Sequence, residues 1–128
     1  MRTILVVGRF NSMEQAIIRR QFKEEIALGK TELNFVEPEK LVDPFKEYSE
    51  IRIFAVNMEP TSHSLDTNFS MAALDKISKL RLQFRKKKVI VGLSSISNKT
   101  CTLRHKPDFI CTPFDFKTKL DARYGWIT

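Results

Sequence analysis

Short, wholly apolar runs alternate along this chain with longer amphipathic stretches. Thr3 to Gly8 (TILVVG) is apolar after its first residue and closed by glycine, the pattern of a strand buried on both faces. Asn11 or Ser12 then stands where a helix cap belongs, with Glu14 or Gln15 three residues on as the reciprocal half of a capping box. That helix is expected to bury a stripe of Met13, Ala16, Ile17, Ile26 and Ala27, leaving Arg19, Arg20, Lys23 and Glu24 largely outside it. Gly29 is placed to end it in a left-handed turn. Leu33 and Phe35 mark a second strand. Leu41, Phe45 and Tyr48 mark a shorter helix, which Pro44 kinks or begins. Ile51 to Val56 (IRIFAV) is a third strand, and a polar loop follows from Asn57 to Asn68. A long helix is predicted from about Phe69 to Lys86, with Ala73, Ile77, Leu80 and Phe84 at its spacing. Lys88 to Leu93 (KVIVGL) is a fourth strand and Asp108 to Thr112 a fifth, with a closing helix over Phe114 to Tyr124. Between them, Ser94 to Pro107 is too polar and too broken to assign as helix or loop.

Strands that are apolar on both faces and alternate with helices predict an α/β protein built on a parallel sheet. Right-handed crossovers leave few topologies, and the commonest at this length is a three-layer, doubly wound sheet of five strands. The 128 residues suit a single domain spanning 1–128. An apolar fraction of 42% and a charged fraction of 29% exclude a disordered chain. The longest apolar runs, such as Ile4 to Val7, fall far short of the ~20 residues a membrane helix needs. The early charge at Arg2 does not fit a secretory signal, and two cysteines, Cys101 and Cys111, suit a reducing compartment. A cytoplasmic location is the expectation.

Composition adds a net charge of +7, from 22 Lys+Arg against 15 Asp+Glu. Such a surface attracts polyanions without specifying one. Arg81, Arg85, Lys86, Lys87 and Lys88 form a basic patch at the end of the long helix, where they also complement the helix dipole. If Ser94 to Pro107 folds back near the helix end, Lys99, Arg104, His105 and Lys106 would join them in a surface able to contact nucleic-acid phosphates. No motif for reading bases accompanies them. Cys101, His105, Asp108 and Cys111 lack the paired short spacings of a zinc site, and His63 beside Asp66 has no nucleophile to serve. No metal and no cofactor are expected.

Pro107 to Leu120 (PDFICTPFDFKTKL) resembles the fifth strand and fifth helix of bacterial response-regulator receiver domains, and Ile4 to Val7 resembles their first strand. The resemblance implies a flavodoxin-like fold, with the site at the carboxyl ends of the strands. It also implies acids after the first strand to hold magnesium, an aspartate ending the third strand to accept a phosphoryl group, and a lysine after the fifth. Gly8 and Arg9, Val56 and Asn57, and Thr112 before Pro113 occupy those places here; Ser94 alone matches the family's hydroxyl. An amide is no nucleophile, and neither glycine nor arginine ligates a hard cation through side-chain oxygen.

These departures predict a degenerate receiver that is not an enzyme and acts as a regulatory or adaptor module through protein contact. By resemblance, the contact face contains Lys99, Arg104, Lys106, Phe109, Phe114 and Lys117. Two alternatives stay open. Arg9, Asn11, Ser12, Asn57 and Ser94 could line a pocket for a small anion or nucleotide, or form an ordinary strand-to-helix turn. The basic patch could serve a nucleic-acid-binding accessory protein. The aromatic tail Tyr124 to Ile127 either folds back on the core or meets a partner, and a homodimer is possible.

Overall fold

The computed structural model describes residues 2–8, 10–37, 40, 51–58, 88–94 and 107–124. Strands β1 (Arg2–Val7), β2 (Thr31–Val36), β3 (Ile53–Asn57), β4 (Val89–Leu93) and β5 (Phe109–Cys111) form one sheet in the order β2-β1-β3-β4-β5, and every pairing is parallel. This is the flavodoxin-like strand order, with its switch point between β1 and β3. Helices α1 (Ser12–Gln21) and α2 (Lys23–Ala27) connect β1 to β2, and α3 (Phe116–Tyr124) follows β5. The predicted helices near 41–48 and 69–86, and most of the ambiguous stretch 94–107, lie outside the described residues.

Alternation within each strand divides the core. Ile4, Val6, Leu33, Ile53, Ala55, Val89, Val91 and Cys111 share one face with Ile18 and Phe22 of α1 and its end, and with Phe116 and Leu120 of α3. Phe22 and Phe116 meet edge to face at 5.6 Å. The opposite face, with Leu5, Val7, Phe54, Val56 and Ile90, is equally buried, as strands apolar on both sides require.

The first helix differs from its predicted packing. Met13, Ala16, Ile26 and Ala27 are exposed, and the fully buried residues are Ile18 and Phe22. The phase is fixed by polar side chains whose partners are distant in sequence. Gln21 and Glu25 lie on the inward side with Ile18 and Phe22, and each bonds to another element.

Glu25 belongs to an ionic cluster at the amino end of the sheet. Arg2, only 1% exposed, places Nη2 at 3.0 Å from Glu25 Oε2 and Nη1 at 3.0 Å from Asp121 Oδ1. Its Nε donates to Thr31 Oγ1 at 3.3 Å, and the Thr31 hydroxyl donates to Glu25 Oε2 at 2.8 Å. Lys117 Nζ closes the cluster at 3.4 Å from Glu25 Oε1 and 2.7 Å from Asp121 Oδ2. The Arg2–Asp121 contact is ionic without an aligned hydrogen bond. Two cations thus balance two carboxylates across β1, α2 and α3. Arg2→Met is expected to cost about 3 kcal/mol by leaving Glu25 and Asp121 to share Lys117 as their one cation in the cluster. Urea unfolding of Arg2→Met and of Arg2→Met/Glu25→Met checks this, the double variant being the less impaired per residue removed.

Candidate functional site

The carboxyl ends of the strands bring Gly8, Asn57, Ser94 and Thr112 to one rim of the sheet. Gly8 has φ +154°, and a Cβ there would stand 2.5 Å from Asn57 Cβ and 3.0 Å from the Phe10 ring. Glycine therefore lets the ends of β1 and β3 close on each other. Asn57 and Ser94 are buried, and the Ser94 amide donates to Cys111 O at 2.9 Å. They join strands and do not present a polar floor to solvent.

The start of α1 is closed by its own residues. Asn11 Oδ1 accepts from Glu14 N at 2.8 Å, and Glu14 Oε1 accepts from Asn11 N at 3.1 Å, the expected capping box. Gln15 Nε2 adds a bond to Phe10 O at 3.2 Å. Asn11 is thus occupied as a cap, Ser12 is exposed, and Arg9 lies outside the described residues. Of the residues expected to line an anion pocket, the four described, Asn11, Ser12, Asn57 and Ser94, lie toward the carboxyl ends of the strands, and the cap occupies the Asn11 and Glu14 amides. Beside them, an open depression of about 760 Å³ lies between α1 and the end of β2. Phe10 and Phe35, edge to face at 6.1 Å, and Arg19, 4.7 Å from the centre of the Phe35 ring, contribute to its wall.

The turn between β5 and α3 is built more tightly. Thr112 N and Oγ1 both donate to Asp115 Oδ1, at 2.8 and 2.7 Å, and Asp115 N returns a bond to Thr112 Oγ1 at 3.3 Å. Gln21 reaches across from α1. Its Nε2 donates to Pro113 O, and its Oε1 accepts from Lys117 N at 3.0 Å. Inside this frame, Phe114 is 72% exposed. The sequence predicts a helix from Phe114, whereas α3 begins at Phe116 after this turn, and Gln21 carries no local signal because its partners stand 92 and 96 positions away.

Two expectations about surface residues are corrected. Phe109 is buried, with Tyr124 stacked on it at 6.0 Å and the Arg123 guanidinium 4.9 Å from its ring centre. Lys88 leaves the basic patch: it is buried, its Nζ donating to Ile51 O at 2.6 Å and lying 5.7 Å from the Phe54 ring centre. The four-carbon stem lets it line the core while its charge finds a carbonyl. Lys117 is half-buried in the ionic cluster. Lys99, Arg104, Lys106, Arg81, Arg85, Lys86 and Lys87 lie outside the described residues, as do Cys101, His105, His63, Asp66 and the tail beyond Tyr124. Among the described residues no three His, Cys, Asp or Glu side chains cluster so as to hold a metal ion, and Asp108 accepts from Ile90 N at 2.7 Å. No helix among them is long and apolar enough to cross a membrane.

Comparison of the chain with protein-family models, curated proteins and solved structures gives no match.

Burial, reinforced by the Asp115 charge, pushes the Cys111 thiol up to about 12. In a Cys101→Ser background, Cys111 is therefore expected to alkylate about a thousandfold more slowly than a free thiol at pH 8, until denaturant exposes it. The hydrogen bond to Asp121, with help from Glu25, raises the Lys117 pKa above its ordinary value. Its stabilising contribution is full below the unfolded lysine value and is lost as pH rises through the raised one. Lys117→Met should cost up to about 1 kcal/mol at pH 7, and its gap from wild type should close only in strong alkali, as read by urea midpoints. Gly8→Ala should destabilise by about 2–3 kcal/mol through backbone strain and the Asn57 clash, measured the same way.

Proposed function

We propose that this chain is a non-catalytic regulatory or adaptor module, resembling a receiver domain that lacks the magnesium-binding acids and the phosphoacceptor, and that it acts through a protein partner. The observation that carries this reading is Phe114. Burying a phenylalanine side chain is worth about 1.5–3 kcal/mol, yet this ring stands in solvent on a turn fixed by Thr112, Asp115 and Gln21. A rigid exposed aromatic loses little conformational freedom on binding and is a frequent anchor of interfaces. Lys117 lies three residues away, at the start of α3. At the rim, Gly8 offers no side-chain ligand for magnesium and Asn57 no carboxylate nucleophile.

The test has two arms. Incubation with acetyl phosphate and Mg²⁺ is expected to leave the intact mass unchanged; a stable increment on a carboxylate would refute the loss of phosphoryl chemistry. A photoreactive phenylalanine analogue at position 114 is expected to cross-link one defined protein partner. Phe114→Ala should then weaken that complex by about 2 kcal/mol or more, roughly thirtyfold, whereas the exposed control Glu32→Ala leaves it intact. Equal affinity of the Phe114→Ala chain would reject this contact face.

A further inference from the structure

Along helices α1 and α2, apolar residues that the sequence pattern assigns to the core stand in solvent among cations. Ala16, Arg19, Arg20, Lys23, Ile26 and Ala27 recur at helical spacing along one stripe, all exposed, and line a groove of about 630 Å³. Met13, 73% exposed, extends the stripe by one turn. From Met13 to Ala27 it runs about 21 Å at 1.5 Å per residue. Cations and apolar side chains alternate along it, and no acidic residue lines the groove. Of the acids on the same helices, Glu14 and Glu25 are engaged with Asn11 and with Arg2 and Lys117, and the exposed Glu24 borders the stripe beside Lys23, leaving the three cations in excess over one carboxylate.

We propose that this face docks an acidic amphipathic helix of a partner protein. Three cations in two helical turns supply the charge complementarity, and carboxylates spaced three or four residues apart on an incoming helix would match Arg19, Arg20 and Lys23. The alanines leave room for the incoming backbone to approach closely, and Ile26 and Met13 offer apolar contacts at either end. Arg19 is already oriented by its stacking over Phe35, which lowers the cost of ordering it. A nucleic acid would gain nothing from the apolar floor. An interfacial membrane helix would carry bulky aromatic and leucine side chains, which this stripe lacks. The surface is separate from the turn that holds Phe114, and the inference stands whether or not that turn binds a partner.

Display selection on the full chain tests this, using a library of helical peptides about 15 residues long. Selected peptides are expected to be acidic, with apolar positions at i, i+3 or i+4, and i+7. Arg20→Glu/Lys23→Glu should reduce their affinity about a hundredfold, and Ile26→Asp about tenfold. All three positions are exposed, and circular dichroism with a urea midpoint verifies that the variants fold. Selected peptides without acidic enrichment, or binding undiminished by the charge reversal, would overturn the proposal. So would full displacement of the peptides by oligodeoxythymidylate or by phosphatidylserine vesicles whose binding ignores Ile26→Asp.

Discussion

The described architecture hangs on a buried guanidinium. Arg2 opens the first strand and stands in the core at the amino end of the sheet, where an unpaired cation would be severely penalised. Glu25 from α2 and Asp121 from α3 must come to it, and Lys117 must come to them. The ionic cluster therefore dictates how two elements distant in sequence sit on the same sheet face. Its net value for stability is modest, because both charges lose water. Its value for uniqueness is larger, since a rotation of either helix would strand a carboxylate.

That rotation decides what the molecule shows to its surroundings. With Glu25 and Gln21 turned inward, Ile18 and Phe22 fill the core, and the more numerous apolar residues of the same helices face out between arginines and a lysine. Gln21 makes the second tie, to the turn before α3, and so holds Phe114 outward on a braced loop. Both candidate recognition surfaces follow from how polar side chains inside the fold find partners. Neither follows from a local excess of hydrophobicity.

At the carboxyl rim, where a sheet of this order ordinarily gathers its chemistry, several described residues are tied to one another. Gly8 is pressed against Asn57, the start of α1 is capped by Asn11 and Glu14, and Ser94 ties β4 to β5. Strand ends that meet in this way support one another. Cys111, at the end of β5, has its thiol held neutral by burial and by Asp115.

The amino-acid sequence by itself determined the strands. Ile4 to Val7, Ile53 to Val56 and Val89 to Leu93 are apolar on both faces, and only a covered parallel sheet satisfies that pattern. It also marked the local stops and starts: a cap at Asn11 or Ser12 with Glu14 or Gln15, of which the structure uses Asn11 and Glu14, and Gly29, at φ +69°, after α2. These signals are legible because both partners lie within a few residues of each other. Tertiary structure alone decided the phase of α1, the burial of Arg2, Lys88 and Phe109, and the bracing of Phe114 by Gln21. Each depends on a partner tens of residues away, and a count of apolar positions carries no information about whether a buried polar group will find its mate.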